Sequence, residues 1–148
     1  MVQKKNNIQL YLKLTNFFIK KGKLNFSKNL IVWVLLKIFQ KTKLSPYKSI
    51  IFLFFSLNSF IEIRQILRKR RKHFVPFSLT LNRRIFFCLK WLKLSLQNDN
   101  RKVSLKEKLS SEVLTIFLNK KKSKSLNLKK TINDNKIFLY RSNVHFRW

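Results

Sequence analysis

The stretch "IEIRQILRKRRKHFVPFSLTL", residues 61–81, contains two runs of alternating side chains that are separated by five consecutive cations. In the first run, Ile61 and Ile63 alternate with charged neighbours, and after the cations apolar residues again occupy every second position from Val75 to Leu81. A period of two on both sides of a polar connection predicts an antiparallel β-hairpin over about residues 60–81. The cations would then form its tip.

Two features of this stretch limit the geometry of the predicted hairpin. Pro76 has no backbone N–H, so we expect it on an open edge of the sheet. No glycine lies near the tip, so we expect a turn of more than two residues. Cations on a projecting tip can neutralise phosphates and release their counterions. The run consists of Arg68, Lys69, Arg70, Arg71 and Lys72.

Helical patterns precede the hairpin. Apolar residues at helical spacing predict a first helix over residues 8–21, which ends in a basic turn before Gly22. From residue 28 to residue 41, apolar side chains cover nearly every face, which indicates a central helix buried on several sides. Ser45 before Pro46 is a good start signal for a third helix that extends to about Leu57.

Helical patterns also follow the hairpin. Asn82 is the expected cap of a helix that opens with two arginines, and "SLKE" at 104–107 is a capping box for the next helix. The charged stretch 119–130 is predicted to be a mobile loop, and a last helix is predicted over about 132–143. We therefore expect a mainly α fold: a single helical domain of about six helices with one protruding hairpin.

The expected domain organisation is simple. Residues 1–7 would be a basic N-terminal extension, and residues 8–148 would form one domain. Within that domain, the C-terminal helix and tail would occupy about residues 131–148.

The charge of the chain demands an outside partner. The 148 residues include 34 Lys or Arg and only 5 Asp or Glu, which gives a formal net charge of +29. Proteins of this kind usually bind a polyanion. Nucleic acid is the favoured partner, but a protein of an anionic membrane surface and a free nucleic-acid-binding regulator remain alternatives. Because 45% of the residues are hydrophobic, a packed core is still expected.

No combination of residues suggests catalysis, a metal site or a cofactor. The single cysteine, Cys88, is expected to be a small buried hydrophobe, and His73 and His145 have no acidic neighbours in the sequence. The five acids show no pairing that suits acid–base chemistry. We therefore expect a binding protein rather than an enzyme.

Location is indicated by composition. The longest apolar runs, 30–36 and 50–57, are shorter than the roughly 20 residues that cross a bilayer, so no stable membrane insertion is expected. The chain has one glycine and abundant Lys, Asn, Phe and Ile, a bias typical of an A/T-rich genome. The first residues lack an import pattern. Together these features favour an organelle-encoded product, mitochondrial in the first instance, with a plastid as the alternative.

The C-terminal residues allow two interpretations. His145, Phe146 and Trp148 are interleaved with Arg147 at the end of the chain. Their rings could stack on bases of RNA, or they could anchor the terminus on the protein body.

The ordered motifs resemble the small-subunit ribosomal protein seven family, whose members end in Ala-His-Tyr-Arg-Trp or Ala-His-Phe-Arg-Trp. Here residues 144–148 read Val-His-Phe-Arg-Trp. Weaker matches are the basic turn 20–23, Val75-Pro76, and Arg83-Arg84 followed by the Leu-Lys-Trp-Leu of 89–92. The resemblance covers about residues 8–148. The family's Gly-Gly near the hairpin tip and most acids of its helices are absent here.

The resemblance implies a function and a set of partners. A helical body with one hairpin would bind the 3′ major domain of small-subunit rRNA and help to nucleate assembly of the subunit's head. The hairpin would reach toward exit-site tRNA and mRNA, beside neighbouring ribosomal proteins of the head and platform, and the chain would not be a homo-oligomer. The residues assigned to rRNA are Lys20, Lys21, Lys23, Arg83, Arg84, Arg141, Arg147 and Trp148. Residues 68–72 would lie near the tRNA or mRNA.

Overall fold

The computed structural model describes the backbone of residues 2–147 and the side-chain surroundings of residues 9–147. This part of the chain forms seven α-helices and one two-stranded antiparallel sheet, which confirms the predicted mainly α fold with one hairpin. In chain order the elements are α1 (Val2–Phe17), α2 (Leu24–Thr42), α3 (Pro46–Leu57), β1 (Ile61–Arg68), β2 (Arg71–Ser78), α4 (Leu81–Gln97), α5 (Leu105–Leu118), α6 (Lys124–Lys129) and α7 (Asn135–Leu139). A π-helical turn, Lys130–Asp134, joins α6 to α7, and Arg141–Arg147 is a 3-10 segment.

Five helices, α1 to α5, supply the buried core. Leu30, Val34 and Ile38 form the buried stripe of α2, with 0%, 4% and 2% of their surfaces exposed. Full burial of one such side chain contributes about 1.5–3 kcal/mol. The outer face of α2 differs from the expectation of burial all round, because Leu36 and Phe39 are 56% and 50% exposed. No other element covers that face in the described residues.

The hairpin has a tighter turn than the sequence indicates. The register pairs Arg68 with Arg71, which leaves only Lys69 and Arg70 in the turn. Their φ angles are +47° and +66°, so both adopt the left-handed conformation that a type I′ turn requires. The prediction of a longer turn is wrong, because two side-chain-bearing residues take the positions where glycine or asparagine is usual.

The first helix begins and ends earlier than predicted. Helix α1 ends at Phe17, where an i→i+3 hydrogen bond from Phe18 N–H to the Thr15 carbonyl tightens the chain and places the Phe18 ring in the core. The turn to α2 contains Lys21 and Gly22, at φ +49° and +72°. Gly22 thus lies in the turn between two helices, and it does not directly follow the last turn of α1 as predicted.

The predicted caps have different outcomes. Ser45 and Pro46 begin α3 as expected, and the Ser104 hydroxyl accepts a hydrogen bond from the Glu107 N–H at the start of α5. Asn82 is not the cap of α4, because the helix already begins at Leu81 after Thr80. Its side-chain carbonyl oxygen instead accepts a hydrogen bond of 2.7 Å from Lys13 Nζ, which joins α4 to α1.

The charged stretch 119–130 is not a loop. A buried carboxylate, Glu112 on α5, accepts hydrogen bonds from the Ser123 hydroxyl, the Ser125 hydroxyl and the Ser125 N–H at 3.0, 2.8 and 2.9 Å. These bonds fix the start of α6 at Lys124, directly after a 3-10 turn at Lys120–Lys122, so helical structure begins well before residue 132. The prediction of a mobile loop is wrong because the stabilising partner lies about ten residues upstream in the sequence.

Candidate nucleic-acid interface

The tip of the hairpin concentrates positive charge. All five residues from Arg68 to Lys72 are exposed, and they occupy the two-residue turn and the strand ends beside it. Like charges that face each other across a ladder are destabilising, and each side-chain-bearing residue in the left-handed region costs about 1–2 kcal/mol. Holding this charge in a tight turn therefore destabilises the free protein. A polyanion at the tip would offset the electrostatic part of that cost.

A buried glutamate organises the base of the hairpin. Glu62 on β1 is only 4% exposed, and its carboxylate accepts hydrogen bonds from Nε of Arg64 and, at 3.2 Å, from Nε of Arg83 on α4. About half of each arginine side chain is still exposed. The carboxylate thus fixes the direction of two guanidinium groups while leaving part of each available to an outside anion.

The two predicted arginines of α4 lie directly beside the hairpin base. Arg84 Nε donates to the Leu79 carbonyl at 2.9 Å, and its guanidinium lies 4.7 Å from the centre of the Phe60 ring. The Arg83 guanidinium lies 5.2 Å from the Phe87 ring. These contacts hold planar cations in fixed orientations, which lowers the entropy lost when they bind phosphate or stack on a base.

The basic turn between α1 and α2 forms a second positive region. Lys20, Lys21 and Lys23 are all exposed there. Lys20 shares a groove with Lys93, which lies ten residues beyond Arg83 on α4. At 1.5 Å per residue, Arg83 and Lys93 are about 15 Å apart along the axis of α4. The predicted rRNA-binding residues therefore fall into two separate regions, one at each end of α4.

The C-terminal residues contact the hairpin. Arg147 donates through Nε, at 2.7 Å, and through Nη2 to the Pro76 carbonyl, and the Phe146 ring stacks on His73 at 4.3 Å. Phe146 and Arg147 therefore contact the protein itself, as in the second interpretation of the terminus, but their partners belong to the hairpin and not to the helical body. Arg141 is exposed and lies over the Phe138 ring of its own segment. The predicted contact of Trp148 lies outside the described residues.

Sequence reasoning missed three residues that shape these regions. Arg64 and Glu62 share one face of β1, and that i, i+2 spacing was visible in the alternating pattern. Lys93 lies over the Phe17 ring at 5.2 Å, a contact between α4 and α1 that no local pattern indicates.

The acidic residues do little to reduce the outer charge. Three of the five are buried, and each is paired within the protein. Asp99 accepts hydrogen bonds from the Arg101 guanidinium and from Lys124 Nζ, and the Arg101 bonds hold the pKa of this carboxyl well below its usual range. With Glu62 and Glu112 also facing inward, the surface is left strongly positive.

Other kinds of site find no support in the described residues. No group of three or more His, Cys, Asp or Glu within them could hold a metal ion. None of their helices is both long and apolar enough to span a membrane. Cys88 is buried as predicted, and burial raises the pKa of its thiol to about 12.

Comparison with known proteins agrees with a role in RNA binding. Residues 1–134 match the family described as ribosomal protein S7p/S5e. None of the curated proteins that were compared with the chain matches it. The terminal motif at 144–148 lies beyond the matched residues, so the match rests on the helical body and the hairpin. Members of this family are structural proteins of the small ribosomal subunit, which bind rRNA and are not enzymes. This chain, with 134 of its 148 residues matched, belongs to the ribosomal protein S7p/S5e family.

Proposed function

We propose that the chain binds the 3′ major domain of small-subunit rRNA and helps to nucleate assembly of the subunit's head. The observation that carries this proposal is the pair of positive regions at the two ends of α4, on a body that packs its own core. Two fixed regions about 15 Å apart can contact two segments of a folded RNA at once, which would hold those segments in a defined relation.

The base of the hairpin would make the more specific of these contacts. Its arginines are held by Glu62 and by aromatic rings, and preorganised guanidinium groups fork onto phosphate or stack on unpaired bases. The turn at Lys20, Lys21 and Lys23 carries lysines, which act mainly as point charges on phosphates.

The tip of the hairpin would reach exit-site tRNA or mRNA near the platform. Support comes from its length and charge: β1 and β2 have eight residues each, and the cations lie at the end farthest from the body. At about 3.3 Å per residue, an eight-residue strand extends roughly 26 Å. The cations at its end could therefore reach a different RNA from the one that the body binds.

The composition supports a mitochondrial ribosome as the site of action, with a plastid ribosome as the alternative. A chain with one glycine, many Lys and Asn residues and 15 Phe fits the codon usage of an A/T-rich organelle genome. Sedimentation of organelle lysates in a salt-containing gradient tests this. Recovery with the small subunit of the mitochondrial ribosome is expected, and recovery only in membrane or free-protein fractions would contradict the proposal.

The separate roles of the body, in rRNA binding, and of the hairpin tip, in contact with tRNA or mRNA, can be tested by removing the cations of the tip. Replacement of residues 68–72 by serine should weaken tRNA or mRNA handling at the exit site and leave incorporation into the subunit largely intact. The matched control is serine at Lys28, Lys41, Lys48, Lys121 and Lys122, five exposed lysines outside the hairpin and outside the C-terminal segment 129–147. Loss of incorporation in the tip variant, with exit-site function unchanged, would contradict this assignment.

A further inference from the structure

The C-terminal segment follows the outer edge of β2. Asn143 Nδ2 donates to the Phe74 carbonyl at 3.0 Å, and Arg147 Nε donates to the Pro76 carbonyl at 2.7 Å. Phe74 and Pro76 are two residues apart, so their carbonyl groups point to the same edge of the strand. That edge is the one that β1 does not cover. Side chains of the segment thus take the place of a third strand.

The same segment is also fixed to the foot of the hairpin. The buried amide of Asn133 donates through Nδ2 to the Ser59 hydroxyl at 2.5 Å and to the Ile61 carbonyl at 3.1 Å. Lys129 Nζ donates to the Asn58 carbonyl, also at 2.5 Å. The chain between Lys129 and Arg147 therefore touches the hairpin at its foot and again along its side.

Ring contacts reinforce the polar ones. Tyr140 lies 5.0 Å from Phe74, and Phe146 stacks on His73. The Arg147 guanidinium lies 5.3 Å from the Phe77 ring, which the Arg64 guanidinium also approaches, to 5.2 Å. These aromatic contacts lie on both sides of the Pro76 carbonyl in the sequence and extend toward the tip.

An isolated two-stranded hairpin is at best marginally stable in water, and its direction relative to a body is set only by contacts away from its own ladder. We propose that residues 129–147 form a brace that fixes the direction of the hairpin, with Asn143 and Arg147 as positioning residues. In this assignment Arg147 holds β2 through its hydrogen bonds to the Pro76 carbonyl and so positions the tip cations, and it is not itself an rRNA ligand. The brace does not depend on the function proposed above; only the contact of the positioned tip with tRNA or mRNA rests on that function.

The direction of the hairpin can be measured in the protein without RNA. Spin labels at Lys72→Cys near the tip and Lys28→Cys on α2 report the distance between hairpin and body, because both positions are exposed. Cys88 stays unlabelled, since it is buried and its thiol pKa is raised to about 12. The parent protein should give one narrow distance distribution, and Asn143→Ala with Arg147→Ala should broaden it.

The matched control is Arg141→Ala, which removes the same charge from the same segment at a residue that lies over Phe138. Its distance distribution should equal that of the parent. Arg147→Lys should restore most of the narrow distribution, because an ammonium group can still donate to the Pro76 carbonyl. Hydrogen exchange of the β1–β2 amides should accelerate about ten-fold in the double alanine variant and stay unchanged in the control. A distribution that is equally narrow in the double variant would overturn the brace.

A second measurement separates positioning from direct binding. A cleavage probe tethered at position 72 should cut small-subunit rRNA or bound tRNA at fewer and sharper positions in the parent than in the double variant. Total affinity for a 3′ major-domain RNA fragment should change less than two-fold. An affinity loss equal to that expected for a phosphate ligand, with an unchanged cleavage pattern, would make Arg147 an RNA ligand and refute the brace. If the parent itself fails to bind the fragment, the proposed function fails, while the distance measurement still decides the brace.

Discussion

The two-residue turn at the tip gives a prediction that separates backbone conformation from charge. Lys69 and Arg70 hold φ angles of +47° and +66°, where a side chain is unfavourable. Two double variants remove the same two charges. Lys69→Asn with Arg70→Gly supplies the residues that a type I′ turn prefers, and Lys69→Ser with Arg70→Ser does not.

The expected difference in stability follows from the conformation. Each side-chain-bearing residue in the left-handed region costs about 1–2 kcal/mol, which glycine avoids and asparagine reduces. The larger entropy that glycine has in the unfolded chain cancels roughly 0.5–1 kcal/mol of this gain. The Asn-Gly variant should therefore exceed the Ser-Ser variant by about 1 kcal/mol in the free energy of unfolding, which corresponds to roughly 2–4 °C in Tm for a chain of this size.

Thermal and urea unfolding of both variants, without RNA and at one salt concentration, measures this difference. Hydrogen exchange of the β1–β2 amides tests that the gain lies in the hairpin. RNA binding provides the internal control, because the salt dependence should fall equally in both variants, by about 0.7–0.9 in slope for each lost phosphate contact. Equal unfolding free energies in the two variants would refute the two-residue turn.

Two further predictions concern buried carboxylates. Glu112→Gln should lower the free energy of unfolding by about 1–3 kcal/mol and accelerate hydrogen exchange over residues 120–129, because the Ser123 and Ser125 donors lose a charged acceptor. The control is Glu107→Gln, at an exposed site on the same helix. Equal exchange rates in the two variants would contradict the role of Glu112. The lowered pKa of Asp99 means that its contribution is complete above the unfolded pKa of about 3.9 and is lost as pH falls further. The stability gap between the parent and Asp99→Asn should therefore be constant from pH 7 to about 5 and narrow progressively in more acidic buffer, as measured by Tm. A gap that is as wide at pH 2 as at pH 7 would show that the pairing with Arg101 is not its source.

The fold was largely predictable where the signal is local. Side-chain alternation located the hairpin, and Ser45-Pro46 and Ser104 marked the starts of α3 and α5 correctly. Buried stripes such as Leu30, Val34 and Ile38 followed from helical spacing. These signals work because each depends on neighbours within one or two helical turns.

The errors arise where a distant partner decides the structure. The stretch 119–130 resembles a polar loop until the carboxylate of Glu112 is placed beside it. Asn82 resembles a cap, but Lys13 of another helix takes its side-chain oxygen. The scarcity of glycine obscured the turn at Lys69 and Arg70, because a type I′ turn is normally recognised by the residues that tolerate positive φ.

The candidate site was predictable in its residue types and not in its organisation. The cation run and Arg83-Arg84 were evident from the sequence, whereas the burial of Glu62 and its pairing with Arg83, 21 residues away, were not. Arg147 was assigned to RNA on the basis of its family motif. In the structure its guanidinium contacts the hairpin, and only long-range geometry reveals this contact.

The central claim is that surplus positive charge on a packed body is balanced by folded RNA. Affinity of the purified chain for a 3′ major-domain rRNA fragment, measured as a function of salt, tests it most directly. If six to ten phosphates are contacted, affinity should fall by about three to five decades between 50 and 200 mM salt. An affinity that stays constant over this range, or a folded protein that does not bind the fragment at all, would contradict the claim.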